Sequence, residues 1–116
     1  IATATDPART EKYLKSLGLH DYFEKIISAR MVKKGKPAPD VFLKVAEKLN
    51  VLPKDCLVFE DIPNGILAGK HAGMEVCAVE DRYSMDLISK KRKLADYYIN
   101  DYNEVLNHTY EDIRNE

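Results

Sequence analysis

The sequence has little of what would point to several common classes of protein. Its 18 basic and 19 acidic residues nearly cancel, so charge gives no argument for nucleic acid or an anionic membrane as the main partner. No apolar run approaches the ~20 residues that a membrane-spanning helix needs. The Gly-x-Gly-x-x-Gly pattern is also absent, which argues against a dinucleotide-binding domain.

Cysteine and histidine are equally scarce. The two cysteines, Cys56 and Cys77, lie beside or inside apolar strand-like runs and form no Cys-x-x-Cys pair. The three histidines are scattered singly, so we expect no zinc site. Two reduced and mostly buried thiols are typical of a cytosolic protein, and we therefore expect a cytoplasmic location.

What the sequence does contain is a regular alternation of strand-like and helical segments. Asp6 and Pro7 can open the first helix, and Asn50 can end the second. This alternation predicts one α/β domain with a mostly parallel sheet. Strands are predicted at residues 1–5, 25–28, 56–59, 75–79 and 96–99, and helices at about 6–18, 39–50, 64–72, 84–94 and 103–113.

The strongest chemical signal is a pair of acids at the end of an apolar strand. Residues 56–59 form a continuous apolar run, which is typical of a strand buried on both faces, and they lead directly into Glu60 and Asp61. In open parallel sheets, ligands bind at the carboxyl ends of strands. Adjacent carboxylates repel each other unless a cation is near, and Mg²⁺ typically takes one or two of them. Alternatively, Asp61 caps the next helix and Glu60 is a solvated strand end.

Two further polar residues are predicted at the same edge of the sheet. Thr5 ends the first predicted strand just before a helix N-terminus, where a hydroxyl and free N–H groups favour an anion. Lys36 lies between a glycine and a proline, which can hold its charge against a phosphate. Alternatively, Thr5 is a strand former before a helix cap and Lys36 is an ordinary loop lysine. Taken together, the four residues indicate a phosphate site with a metal.

GKPAPDVF at residues 35–42 is followed by LVFEDIPNGILAGKHAGM at residues 57–74. At this spacing the two motifs resemble the haloacid dehalogenase superfamily, in its β-phosphoglucomutase-like branch of small-molecule phosphatases. IATAT with LKSLGLHDYFEKIIS is similar to the second motif of the family, and ADYYINDYNEVL is similar to its closing strand and helix. The resemblance covers nearly the whole chain. It implies a Rossmann-like three-layer core, with residues 1–116 as its C-terminal part.

The resemblance also implies an activity and a role for each matching residue. It implies a Mg²⁺-dependent phosphatase or phosphomutase whose partner is a small phosphorylated metabolite such as a sugar phosphate. Thr5 would bind the transferred phosphoryl group, and Lys36 would neutralise the phosphate and the attacking carboxylate. Asp61 would hold Mg²⁺, with Glu60 beside it in the metal site or just outside it.

One departure from the family pattern is large. The family's nucleophile lies in an Asp-x-Asp motif at the end of its first strand, and this sequence contains no Asp-x-Asp. In the family, that strand and the cap domain precede the strand that IATAT resembles. We therefore expect a piece of a longer protein, inactive alone, that lacks the first strand and the cap. An N-terminal part or a strand from a second chain would complete it. A non-catalytic phosphate- or metal-binding protein, or half of a two-chain assembly, remains the alternative.

Overall fold

The computed structural model, which describes residues 1–115, shows helices alternating with short strands. The strands are β1 (Ala2–Thr3), β2 (Ile27–Ser28), β3 (Leu57–Glu60), β4 (Glu75–Val79), β5 (Tyr97–Ile99) and β6 (Glu111–Asp112). The α-helices are α1 (Pro7–Ser16), α2 (Asp40–Leu49), α3 (Pro63–His71), α4 (Ile88–Leu94) and α5 (Asn103–Leu106). Short 3₁₀ turns occupy His20–Tyr22, Ala29–Met31, Pro53–Asp55 and Arg82–Leu87.

The strands form two sheets. β1 pairs with β2 in parallel, while β3, β4 and β5 are parallel neighbours in that order, and β6 closes the second sheet antiparallel to β5. The predicted α/β fold with mostly parallel strands is confirmed. Among the described residues no strand joins β1 to β3, so the carboxyl ends of these two strands belong to separate sheets.

The hydrophobic core lies on one face of the larger sheet. Val58, Val76 and Tyr98 face it from three neighbouring strands, and α2, α3 and α4 cover them with small and branched apolar side chains. Close packing of α3 requires a glycine, because a Cβ at Gly69 would lie 2.6 Å from Cγ2 of Val76. This packing fixes the turn between β3 and α3 against the sheet.

The opposite face of the sheet is exposed at β3 but largely covered at β4 and β5, where Cys77 is 3% and Ile99 0% exposed. Leu57 is 50% exposed and Phe59 is 38% exposed, on either side of the buried Val58. The prediction that this strand is buried on both faces is therefore wrong for residues 1–115. The physical reason is the placement of α2, α3 and α4 on the same side, which leaves α5, a helix of 4 residues, and the segment after it to cover the other.

Local sequence signals predicted the ends of α1 and α2 better than the lengths of the first strand and the last helix. The side chain of Asp6 accepts a hydrogen bond from the N–H of Arg9, and Asn50 ends α2 in the left-handed conformation, as expected. The last helix is much shorter than predicted, because the chain turns at His108 (φ 57°) and then forms β6. The first strand is also shorter, so the prediction that Thr5 ends it is wrong.

No helix within residues 1–115 has both the length and the apolar character needed to cross a membrane.

Candidate functional site

A cleft of about 520 Å³ lies between the carboxyl ends of β1 and β3. Three of the four predicted site residues line it, namely Lys36, Glu60 and Asp61. The remaining lining residues are small or apolar apart from Thr3 and Asn64: Ala2, Thr3, Ala4, Ala29, Gly35, Val41, Ile62 and Asn64. The cleft therefore joins side chains that are far apart in the sequence at one edge of the fold.

Lys36 and Glu60 contact each other directly in this cleft. The Lys36 Nζ donates to Oε1 of Glu60, and the Glu60 side chain is only 9% exposed. The same ammonium lies 5.0 Å from the ring centroid of Phe42. The alternative in which Glu60 is a solvated strand end is therefore wrong, and Lys36 is not an ordinary loop lysine.

The loop that carries Lys36 is held by backbone contacts. The N–H of Ala38 donates to the carbonyl of Gly35 at 3.0 Å, and the Lys36–Pro37 peptide bond is cis. His71, near the end of α3, reaches the Pro37 carbonyl with its Nδ1 at 3.2 Å. The His71 contact joins the loop to α3 next to Lys36.

A glycine makes room for the Glu60 carboxylate. Gly65 lies in the first turn of α3, and a Cβ built there would be 2.0 Å from Oε2 and 2.8 Å from Oε1 of Glu60. No side chain fits at that distance, so the Glu60 carboxylate lies directly against the Gly65 backbone. The helix start thus determines where Glu60 can point, which keeps it in contact with Lys36.

Asp61 has a different environment from its neighbour. It is exposed at the cleft, and α3 is capped by Ile62 without a side-chain hydrogen bond. The alternative in which Asp61 caps the helix is therefore wrong. The Asp61 carbonyl accepts a hydrogen bond from Oγ of Ser84 at 3.4 Å. The pKa of the Tyr102 phenol is raised, first by burial and then by the nearby Cys77, Asp61 and Glu60 charges.

Thr5 lies apart from the other predicted site residues. It is exposed and faces a separate depression along α1, together with Arg9 and Tyr13. Thr3, the last residue of β1, lines both this depression and the cleft, and its Oγ1 accepts a hydrogen bond from the Thr5 N–H at 3.1 Å. Sequence reasoning missed Thr3 because Thr-x-Thr alternation puts both residues on one face of a strand, and only the strand end distinguishes them.

The donor set at the cleft suits a hard cation. Within residues 1–115, no group of three or more His, Cys, Asp or Glu residues is placed to hold a metal ion. Glu60 and Asp61 nevertheless offer carboxylate oxygens, which Mg²⁺ prefers, and Mg²⁺ commonly completes its coordination with water and substrate phosphate. The exposed Asp61 is the residue better placed for this, since Glu60 is already paired with Lys36.

Comparison with known proteins gives consistent matches. A family model described as haloacid dehalogenase-like hydrolase matches residues 1–73. The chain is 43% identical over 79 residues to the fructose-1-phosphate phosphatase YqaB of Escherichia coli (strain K12). The matched region covers 68% of this chain and 42% of that protein. The chain is also 42% identical over 74 residues to the beta-phosphoglucomutase of Bacillus subtilis (strain 168). That match covers 64% of this chain and 33% of that protein.

The fold is also similar to solved structures. The crystal structure of a putative beta-phosphoglucomutase from Thermotoga maritima matches with a TM-score of 0.78 and 33% identity, over 92% of this chain and 49% of that one. The chain thus spans less than half of each of these three proteins. The range that the family model matches contains Lys36, Glu60 and Asp61 together with Gly65. The chain belongs to the haloacid dehalogenase-like hydrolase family.

Proposed function

We propose that this chain supplies the phosphate- and metal-binding part of a Mg²⁺-dependent phosphatase or phosphomutase that acts on small phosphate monoesters such as sugar phosphates. The observation that carries the proposal is the meeting of Lys36, Glu60 and Asp61 at one cleft. Family relatives named as a fructose-1-phosphate phosphatase and a beta-phosphoglucomutase support the substrate class.

Lys36 is the proposed partner of the transferred phosphate. Its side chain is 24% exposed and lines the cleft, so we propose that the ammonium can meet an anion on one side while Glu60 holds it on the other. A fixed positive charge stabilises the charge that develops on phosphoryl oxygens in the transition state. Glu60 keeps that charge in place before substrate arrives, which removes the cost of arranging a flexible lysine during the reaction.

Asp61 is the proposed Mg²⁺ ligand, with Glu60 beside it. When bound, Mg²⁺ supplies positive charge opposite the phosphate oxygens. Asp61 is exposed at the cleft and can offer both carboxylate oxygens, whereas Glu60 has committed one oxygen to Lys36. Thr3 is the proposed hydroxyl for the phosphoryl group, because it lines the cleft. The prediction that Thr5 has this role remains untested.

The proposed covalent step needs an aspartate nucleophile, and the 116 residues contain no Asp-x-Asp to supply it. In the proposed mechanism, an aspartate attacks phosphorus, the ester P–O bond breaks, and the substrate's oxygen leaves and takes a proton. The resulting aspartyl-phosphate then passes its phosphoryl group to water or to a sugar hydroxyl, which releases the aspartate. Because no Asp-x-Asp occurs in these residues, we propose that this aspartate lies in an N-terminal part of the same protein or in a second chain. We therefore propose that residues 1–116 alone turn over no phosphate monoester.

A second candidate is a non-catalytic protein that binds phosphate or a metal, or half of a two-chain assembly. The same missing Asp-x-Asp favours it, because the remaining residues can bind but cannot attack. The two candidates differ in what precedes Ile1 in the gene. A strand that ends in Asp-x-Asp there supports the enzyme, and a coding sequence without one supports the binding protein.

Binding can be tested on the chain itself. We would titrate ¹⁵N-labelled protein with Mg²⁺ and, separately, with inorganic phosphate. We expect Mg²⁺ to shift the amide signals of residues 60–64 and phosphate to shift those around Lys36. Asp61→Asn should remove the Mg²⁺ response, whereas Asp86→Asn, a matched change at an exposed position outside the cleft, should leave it. An unchanged Mg²⁺ response in Asp61→Asn would overturn the metal assignment.

A further inference from the structure

The most unusual side chain outside the cleft is Lys91 in α4. It is completely buried, with an exposed fraction of 0%, although it sits in a run of four basic residues that otherwise remain at or near the surface. Its ammonium donates to the carbonyl of Val79 at 2.7 Å and to Oγ of Ser84 at 3.3 Å. Val79 is the last residue of β4, so the Lys91 ammonium lies at the carboxyl edge of the sheet.

Ser84 links this buried ammonium to the candidate site. Its side chain is 3% exposed, and its Oγ lies 3.4 Å from the Asp61 carbonyl and 3.4 Å from the Asp81 carbonyl. Ser84 also has non-helical backbone angles (φ −127°, ψ 28°) within the 3₁₀ turn of Arg82–Leu87. A continuous set of hydrogen bonds therefore runs from Lys91 through Ser84 to the peptide of Asp61.

An ammonium in this position is costly for the fold. Burying a charge without an opposite charge is unfavourable, and an apolar side chain of similar volume often serves a core equally well or better. Among the described residues, Lys91 makes no ion pair within 4 Å. Its hydrogen bonds instead go to a strand end and to a serine that contacts Asp61, which indicates a task beyond filling the core.

We propose that Lys91, acting through Ser84, is a positioning residue that holds the Asp61 peptide in the place from which its carboxylate binds the cation. Lys91 satisfies the Val79 carbonyl and orients the Ser84 hydroxyl, and that hydroxyl in turn fixes the Asp61 carbonyl. This inference rests on the proposed function, because it assumes that Asp61 is a metal ligand. Lys91 itself lines no part of the cleft.

Charge and positioning predict opposite effects of removing the ammonium, which makes the proposal testable. Lys91→Met keeps most of the buried volume and deletes a positive charge. By Coulomb attraction alone, deleting that charge should tighten the binding of a cation nearby. Loss of positioning should weaken it. Ser84→Ala removes the hydroxyl without any change of charge, so only the positioning effect remains.

The experiment measures Mg²⁺ binding to the 116-residue chain by amide chemical shifts, together with its thermal melting. We expect Lys91→Met and Ser84→Ala each to raise the Mg²⁺ dissociation constant about three- to tenfold, with the melting curve of the wild-type chain retained. Both should also shift the ¹³C signal of the Asp61 carbonyl before metal is added, although Lys91 does not touch Asp61. Lys90→Met, which deletes an exposed charge from the same helix, should change neither the Mg²⁺ dissociation constant nor the Asp61 carbonyl signal.

Each outcome separates the inference from the function on which it rests. Equal or tighter Mg²⁺ binding in both variants, with the wild-type chain responding to Mg²⁺, would overturn the positioning role and leave the metal assignment intact. A wild-type chain that does not respond to Mg²⁺ would contradict the metal assignment, and the positioning role would be lost with it. If Lys91→Met fails to fold, Ser84→Ala decides the question by itself.

Discussion

Lys36 and Glu60, 24 residues apart in the chain, form an ion pair at the carboxyl end of β3. The contact joins the loop before α2 to the strand that leads into α3. Glu60 is almost fully buried and Lys36 partly so, so each side chain depends on the other for its charge to be tolerated. The pair therefore supports the fold and the candidate site at once, and the two contributions can be measured separately.

Removing Lys36 should destabilise the chain. Lys36→Met leaves the buried Glu60 carboxylate without its partner, which we expect to lower the free energy of unfolding by about 2 kcal/mol. Removing one partner of a fully buried pair typically costs ~3–5 kcal/mol, and the loss here is smaller because water can reach the partly exposed cleft. Urea denaturation measures it, with Lys34→Met as the matched control at an exposed position. If both variants lost the same free energy of unfolding, the ion pair would make no contribution of its own to stability.

Adding a methyl group at Gly65 should disturb Glu60 specifically. A Cβ there would lie 2.0 Å from Oε2 of Glu60, so the carboxylate must move and its contact with Lys36 must weaken. We expect Gly65→Ala to cost about 1–3 kcal/mol, the usual range for overpacking. Gly35→Ala is the control, because a Cβ at Gly35 meets nothing within 4 Å. In a Glu60→Ala background, Gly65→Ala should cost less unfolding free energy than it does in the wild-type chain. An equal cost in both backgrounds would argue against this explanation.

Cys77 should be slow to react as a thiol. Burial raises its pKa to about 11, with a smaller contribution from the Glu104 carboxylate. The raised pKa means that the reactive thiolate is scarce at about pH 8 and increases about tenfold per pH unit up to the pKa. Alkylation by iodoacetamide, followed by mass spectrometry from about pH 7 to 10, should show this rise at Cys77. Urea-unfolded chain should react much faster, and equal rates would contradict the prediction.

The isolated chain should associate with itself. The outer edges of β1 and β3 are unpaired in the described structure, and Leu57 and Phe59 expose an apolar sheet face. Unpaired edges and exposed apolar faces favour association between chains. We expect sedimentation of the purified chain to show oligomers and thermal melting to be broad. A monomer that melts cooperatively would show that neither an N-terminal part nor a strand from a second chain is needed for stability.

Much of the fold and part of the site follow from local patterns. Asp6 and Asn50 mark helix ends because capping depends on one side chain and the backbone next to it. Glu60 and Asp61 were identified at a strand end because an apolar run stops abruptly before them. Lys36 was singled out by its motif and its flanking glycine and proline. Each of these signals is complete within a few residues, so it can be read without a structure.

Other features depend on contacts between distant segments. Thr3 rather than Thr5 reaches the cleft because β1 ends where its pairing with β2 ends, and pairing is not visible in either segment alone. The bare face beside Val58 arises because α2, α3 and α4 share one side of the sheet. Lys91 looks like every other lysine in its basic run, and only the packing of α4 buries it where its ammonium reaches Val79 and Ser84. The sequence by itself therefore indicated three residues that line the cleft, Lys36, Glu60 and Asp61, while tertiary packing decided which residues meet there, since burial and pairing are sums over the whole chain.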